Sequence, residues 1–198
     1  MGTFTLSEVN NAANAALLRE SFNQGITSSM RLGAMSKAQI ADEDHDIFLS
    51  HAFLDADIVS GVFESLEGLG YKVYIDWKGD PQLNRENVDK STAMQLKYRM
   101  ERCKCLLYVV TPFCSSSKWM PWELGYFDGF KGKSAILPVT NSGSDTYKGQ
   151  EYLGIYPYIT KGENSIGKVK LYVNESEDSW KSFDRWLDTK LASRQVAI

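Results

Sequence analysis

The sequence predicts an α/β domain in which a parallel sheet is covered by helices on both faces. From residue 46 onward, short runs of β-branched and aromatic residues alternate with longer runs whose apolar residues recur every three or four positions. The 198 residues, of which 43% are hydrophobic and 24% charged, are typical of a globular domain with a sizeable core. Strands that alternate with helices pair in parallel and need cover on both faces.

The first part of this alternation contains two strands and two helices. Residues 46–52, DIFLSHA, predict a largely buried strand, and residues 55–69 predict a helix that Gly70 ends. Residues 71–77, YKVYIDW, predict the second strand because β-branched and aromatic residues alternate there. A loop with Gly and Asp-Pro follows at 78–84, and a helix is predicted at about 86–101.

The second part adds three strands and two helices. Strands are predicted at 103–112, 134–140 and 156–160, and a tryptophan-rich helix at about 117–130. Residues 175–192 predict a closing amphipathic helix. Its apolar face would hold Trp180, Phe183, Trp186 and Leu187.

Residues 1–43 differ in composition from the domain at 44–198. They are rich in Asn, Ala and Ser and poor in large apolar residues, so we expect a loosely attached arm that serves self-association, or a disordered tail. A weak helix face would consist of Val9, Ala13, Ala16 and Leu17.

Composition excludes several classes of partner and compartment. The net charge is −3, from 22 basic and 25 acidic residues, so the chain lacks the basic field that would indicate nucleic acid or an anionic membrane as its main partner. The longest apolar run, residues 105–110, is too short to cross a bilayer. The amino terminus lacks the basic start and apolar core of a secretory signal, and three cysteines cannot all pair, so we expect a cytosolic protein with reduced thiols.

Three kinds of site are also disfavoured. GFKGKS at 129–134 has Phe127 where a phosphate-binding loop needs its first glycine. Cys103 and Cys105 lack a nearby histidine or a second Cys pair, so we expect them to be buried and no metal to be bound. Without a Gly-x-Ser-x-Gly motif, a hydrolase triad is not indicated.

The carboxyl ends of the predicted strands bring residues that are distant in the chain together in a candidate site. In open parallel sheets, ligands bind in the crevice beyond these ends. The residues placed there are Ser50, His51, Asp76, Trp77 and Thr111, and the helix that begins past the third strand brings Glu123 to the same crevice.

Glu123 falls within an apolar helix stripe, and two interpretations remain open. The stripe consists of Trp119, Trp122, Tyr126, Phe127 and Phe130. A carboxylate beside indole rings suits cleavage of a glycosidic bond, because the carboxylate can stabilise an oxocarbenium ion while an aromatic ring stacks on a planar leaving group. Alternatively, Glu123 caps its own helix, where an acid in the first turn gains from the helix dipole, and the tryptophans are core residues.

Four segments in this order resemble the signature segments of bacterial TIR (Toll/interleukin receptor) domains. They are HDIFLSHA, YKVYIDW, CKCLLYVVTPFCSSSKWMPWELGYFDG and SFDRWL, within about residues 44–190. The resemblance implies a flavodoxin-like, five-stranded parallel sheet with helices on both faces. It also implies cleavage of NAD, as substrate and not as cofactor, at the nicotinamide–ribose bond, with release of nicotinamide and ADP-ribose or a cyclised or modified ADP-ribose.

The resemblance also implies roles for individual residues. Glu123 matches the catalytic glutamate of the family, and Trp119 matches the aromatic residue one turn before it. Ser50 and His51 match the substrate-contacting loop after the first strand, and Asp76 and Trp77 the start of a mobile loop. Bacterial relatives often act in antiphage defence through a nucleotide signal to a separate effector protein, and TIR domains self-associate. The alternative is a non-enzymatic scaffold for TIR–TIR assembly.

Overall fold

The computed structural model describes residues 1–20, 25–39, 43–77, 90–111, 114–144, 146–149 and 151–189. These ranges contain one sheet and six α-helices. The strands are β1 (Phe4–Thr5), β2 (His45–Ser50), β3 (Val73–Tyr74), β4 (Cys103–Val110), β5 (Ser134–Thr140), β6 (Tyr158–Glu163), β7 (Val169–Ser176) and β8 (Ser179–Ser182). The helices are α1 (Leu6–Glu20), α2 (Ser28–Ala38), α3 (Ala56–Gly68), α4 (Lys90–Glu101), α5 (Trp119–Lys131) and α6 (Phe183–Asp188).

The sheet is mixed and larger than the predicted five strands. Its order is β3-β2-β4-β5-β6-β7-β8, with β1 paired to β5. The five predicted strands pair in parallel, whereas β7 and β8 are antiparallel additions at one edge. The observed fold class is therefore α/β with a central sheet, and the prediction of a wholly parallel sheet was incomplete. In the described part of the chain, no helix is long and apolar enough to cross a membrane.

Alternate residues of the central strands face two separate cores. On β4, Cys105, Leu107 and Val109 pack with α1, α2, α3 and α6, whereas Leu106 and Tyr108 pack with α4 and α5. This follows from the period of two along a strand, which sends successive side chains to opposite faces. The near-continuous apolar sequence of β4 reflects burial on both faces.

Residues 1–20 and 25–39 pack on the sheet and on α3, which differs from the expectation of a loosely attached arm or a disordered tail. β1 continues the parallel ladder on β5 through Phe4 and Val139. On α1, the predicted helix face is largely confirmed, because Val9, Ala13 and Ala16 are buried against α3. Small residues on this face allow the two helices to approach closely, so the alanine-rich composition indicates tight packing here.

The closing segment is only partly helical, which corrects the helix predicted at 175–192. β7 continues to Ser176, a turn follows, and β8 precedes α6. Trp180, which was predicted on the helix face, lies on β8, 53% exposed, with its ring edge against Tyr172 of β7. The predicted helix at 86–101 is observed from Lys90, whereas the predicted loop at 78–84 and residues 190–192 lie outside the described residues.

Candidate functional site

Glu123 and Ser50 form a buried hydrogen-bonded pair at the carboxyl end of the central strands. Glu123 lies in the second turn of α5 and is 8% exposed. The Oγ of Ser50, the last residue of β2, donates to Glu123 Oε2 at 2.6 Å. Ser50 is in register with Tyr108 of β4, so the carboxylate lies beside the carboxyl end of β2, where β2 is paired with β4. A buried carboxylate needs such compensation, and a hydroxyl donor provides part of it.

The surroundings of Glu123 on α5 differ from the predicted aromatic stripe. The helix buries Met120, Glu123, Leu124 and Phe127 together. A row of rings runs along its less buried side, with Trp122 stacked on Tyr126 at 5.7 Å and Tyr126 stacked on Phe130 at 6.1 Å. Trp119 begins this row, its ring edge-on to Trp122. Glu123 is therefore a polar residue of the sheet-facing side, one turn after Trp119.

Two buried tyrosines near the carboxylate were not predicted as site residues. Burial raises the pKa of Tyr74 and of Tyr108 above the ordinary range of a phenol, and the Glu123 charge contributes in the same direction to both. Both hydroxyls therefore stay protonated. Asp76 also raises the pKa of Tyr74, which places this half-buried acid near the same end of the sheet. In the sequence, both tyrosines resemble ordinary strand residues, so no local signal distinguishes them.

His51 and Trp77 form a second unit on the other face of the sheet. Their rings stack at 5.1 Å with an interplanar angle of 11°, and Phe53 stacks on the same indole at 4.9 Å. His51 Nδ1 donates to the carbonyl oxygen of Leu49 at 2.8 Å. Trp77 is 1% exposed and belongs to the core opposite that of Trp119. The structure thus does not bring the two tryptophans together, and Trp77 presents no exposed ring face.

A second buried carboxyl, Asp55, lies between the ends of β2 and β4. Thr111, which directly follows β4, donates its Oγ1 hydrogen to Asp55 Oδ2. Asp55 is 3% exposed, and Oδ1 has no hydrogen-bond partner among the described residues. Burial raises the pKa of this carboxyl, although the Thr111 hydrogen bond partly opposes the shift. Asp55 occupies the N-cap position of α3 but makes no side-chain capping hydrogen bond.

Asp55 gives a prediction about stability and pH. The pKa of Asp55 in the folded state is raised above 3.8, so the unfolded chain loses this proton at a lower pH than the folded protein. The free energy of unfolding therefore falls as the pH rises from 3.8 through the raised value. We therefore expect Asp55→Asn to gain stability relative to the wild type from pH 3.8 upward. Urea unfolding at a series of pH values measures the difference.

A matched control is Asp57→Asn, in the exposed first turn of the same helix. This change removes a favourable interaction with the helix amino terminus, so we expect a small loss of stability at neutral pH. An Asp55→Asn difference that stays constant with pH would contradict the assignment of a raised pKa.

The cysteines occupy structural positions. Burial raises the pKa of Cys103 to about 12 and that of Cys105 well above 9.0, so both remain thiols. In the described ranges, no group of three or more His, Cys, Asp or Glu side chains has a geometry that could hold a metal ion.

A curated relative decides the family. The protein named "Probable 3' cyclic ADP-D-ribose synthase ThsB'" from Bacillus cereus (strain MSX-D12) is 50% identical over 146 residues, which cover 72% of this chain and 75% of the relative. The chain belongs to this relative's family. "Putative cyclic ADP-D-ribose synthase TIR2" from Cytobacillus dafuensis is 32% identical over 83 residues, 41% of this chain and 22% of that protein. No protein-family model matches the chain.

The names of both relatives imply a TIR-domain family, in agreement with the resemblance of the four segments. In this TIR-domain protein, the structure brings Ser50 directly to Glu123 and places Trp119 one turn before it. It places His51 and Trp77 together on the opposite side of the sheet end. Asp76 is half-buried two residues past β3, where its charge contributes to the raised pKa of Tyr74.

Proposed function

We propose that this TIR-domain protein cleaves the nicotinamide–ribose N-glycosidic bond of NAD. The observation that carries the proposal is the carboxylate of Glu123, buried at the carboxyl end of β2 and β4 and held by Ser50 at 2.6 Å. A carboxylate in this position of an α/β sheet can act on a ligand in the crevice beyond the strands. The naming of both relatives as cyclic ADP-D-ribose synthases supports NAD as the substrate.

The chemistry follows from the charge that develops on the ribose. When the glycosidic bond breaks, its electron pair stays on the nicotinamide nitrogen and neutralises the pyridinium charge, so the ribose becomes an oxocarbenium-like cation. Glu123 stabilises that cation and holds the ribose hydroxyls. Trp119 stacks on the nicotinamide, while Asp76 and His51 shape the mouth of the site and the buried Trp77 excludes water behind His51. No metal or cofactor takes part.

The fate of the cation decides the product. Capture by water, with loss of a proton, gives ADP-ribose, whereas capture by a nucleophile of the same molecule, again with loss of a proton, gives a cyclic ADP-ribose. The name of the Bacillus cereus relative favours the cyclic product. We further propose a flavodoxin-like TIR fold of bacterial type, a cytosolic location, TIR–TIR self-association, and an antiphage role in which the product signals to a separate effector protein.

Incubation of NAD with concentrated protein, followed by mass-resolved chromatography, tests the proposal. We expect nicotinamide together with a co-product whose mass and retention separate ADP-ribose, its cyclic form and a transferred product. The incubation is repeated in lysate of phage-infected cells, because assembly or infection can complete the site. Absence of nicotinamide release in both settings, from folded and self-associated protein, would favour the non-enzymatic scaffold.

Ser50→Ala removes the hydroxyl that donates to Glu123 and so tests whether catalysis needs this hydrogen bond. A hydrogen bond to a charged group contributes about 1.5–3 kcal/mol, so we expect the rate of nicotinamide release to fall about 10- to 100-fold. Ser65→Ala is the matched control, because Ser65 Oγ donates only to the Gly61 carbonyl of its own helix among the contacts described. An unchanged rate in Ser50→Ala would show that Glu123 does not need this donor.

A further inference from the structure

The outer edge of β3 is covered by side chains of α2 instead of another strand. β3 is an edge of the sheet, so the backbone groups of Val73, Ile75 and Trp77 point away from β2. Gln39, directly after α2, donates Nε2 to the Val73 carbonyl at 2.9 Å and accepts the Ile75 amide at 3.4 Å. Ser36 donates to the Ile75 carbonyl and accepts the Trp77 amide, both at 3.2 Å.

These four hydrogen bonds reproduce those that a neighbouring strand would make. An uncovered edge strand presents a row of unpaired N–H and C=O groups. Here, the side chains of Ser36 in α2 and of Gln39 directly after it satisfy consecutive outward groups over five residues of the edge. The backbone from Val73 to Trp77 is thereby held although the ladder with β2 covers only two residues of β3.

A third side chain, that of Ser29, extends this support to the indole of Trp77. The indole nitrogen donates to Ser29 Oγ, in the first turn of α2, at 3.3 Å. The same indole stacks on His51, which directly follows Ser50, the donor to Glu123. A continuous series of contacts therefore leads from α2 through Trp77 and His51 to the buried carboxylate.

α2 itself is held firmly enough to act as a support. Arg31, 6% exposed, pairs with Glu20 of α1 at 2.8 Å and with Glu64 of α3, and it donates to Ser60 of α3 at 3.3 Å. Leu32 is fully buried in the core beneath. The helix is thus attached to both of its neighbours by a buried guanidinium, which needs all of these partners to offset its desolvation.

We propose that Ser29, Ser36 and Gln39 are positioning residues for the site, which set the place of the Trp77 ring and, through it, that of His51 beside Ser50. This inference rests on the proposed cleavage of NAD. The amino-terminal segment then contributes to turnover without touching the substrate, and α2 occupies the edge that another strand would otherwise use.

The test uses the full chain with Ser29→Ala and with the double variant Ser36→Ala/Gln39→Ala. Lys37→Ala, exposed on the same helix, is the control, and Ser36→Thr keeps the hydroxyl. Three readouts are compared: amide hydrogen exchange at Ile75 and Trp77, the ring-proton shifts of His51 by NMR, and kcat and KM for nicotinamide release. With two histidines in the chain, the His51 signals are readily assigned.

We expect the double variant to accelerate exchange at both amides about 10-fold, as one lost backbone hydrogen bond allows. It should also move the His51 signals and lower kcat about 10-fold with little change in KM, while Ser36→Thr and Lys37→Ala stay at wild-type values. Ser29→Ala should change the His51 signals and kcat without changing amide exchange.

Two outcomes would overturn the inference. The first is faster amide exchange at Ile75 and Trp77 with unchanged His51 signals, and the second is a shift of the His51 signals with unchanged kcat and KM. Either result would show that α2 has a purely structural role. If the wild type releases no nicotinamide, the proposed function fails on its own. Moved His51 signals in that case would still establish the contact series from α2, and its role in turnover would be rejected together with NAD cleavage.

Discussion

Glu123→Gln is expected to lower the rate of nicotinamide release from NAD by about 10³-fold, the loss typical when a preorganised electrostatic stabiliser is removed. Glutamine has nearly the same shape as glutamate, and its carbonyl oxygen can still accept the hydrogen bond from Ser50. What disappears is the negative charge opposite the oxocarbenium-like ribose. The measurement is the initial rate of nicotinamide formation by chromatography, with enzyme in excess where turnover is slow.

A matched control is Glu163→Gln, an exposed glutamate at the end of β6. It changes the net charge by the same amount but lies outside the site, so we expect the wild-type rate. Urea unfolding of Glu123→Gln should show a midpoint equal to or above that of the wild type, because an uncharged amide is cheaper to bury. A rate within about threefold of the wild type, below 1 kcal/mol in transition-state free energy, would rule out Glu123 as the charge that drives cleavage.

Gly61→Ala is expected to cause the largest loss of stability, about 3 kcal/mol in the free energy of unfolding, since overpacking here meets backbone. A Cβ at Gly61 of α3 would lie 1.8 Å from the carbonyl oxygen of Val9 on α1. Val9 is fully buried, so α1 must move away from α3 to admit the methyl group. Urea unfolding followed by circular dichroism measures the loss.

Gly68→Ala on the same helix is the control, because no atom lies within 4 Å of the added Cβ. There, the higher helix propensity of alanine should leave stability unchanged or raise it by up to about 1 kcal/mol. Equal stabilities of the two variants would show that α1 does not pack on Gly61 as the structure describes. Because α1 and α2 are joined through Glu20 and Arg31, Gly61→Ala should also disturb the support of Trp77.

The amino-terminal segment shows why composition misleads at a helix–helix contact. A segment rich in Asn and Ala, with few large apolar residues, is expected to be weakly buried, because each of its side chains has little apolar area to remove from water. Ala13 and Ala16 are nevertheless 1% exposed, since a partner helix with Gly61 permits a close backbone approach. Which helix offers the complementary glycine is a property of the fold, and no local pattern in residues 1–20 reports it.

In the carboxyl-terminal segment, the apolar residues fit the 3.6-residue period of a helix, but part of the segment forms a strand with a period of two. Trp180, Phe183, Trp186 and Leu187 fit a helical spacing, but Trp180 lies on a strand, in register with Asn174 of β7 and with its ring edge-on to Tyr172. Strand preference depends on cross-strand neighbours, which only the paired chain supplies. In β7, which the sequence analysis did not predict, the buried Leu171 and Val173 alternate with the less buried Lys170 and Tyr172, and this period of two is the local signal of the strand.

Residue patterns in the chain predict the alternating α/β architecture, the resemblance of four segments to TIR domains, and the candidacy of Glu123, Ser50 and Trp119. The architecture and the candidate residues follow from local periodicity and from the rule that parallel strands end at one edge of the sheet, whereas the resemblance follows from the residues and the order of the four segments. Three contacts come from tertiary packing: Ser50 donates to Glu123, Trp77 stacks on His51 in the core opposite that of Trp119, and Asp55 is buried beside Thr111. Each of these depends on which side chains meet across elements distant in the chain, and sequence spacing carries no information about such encounters.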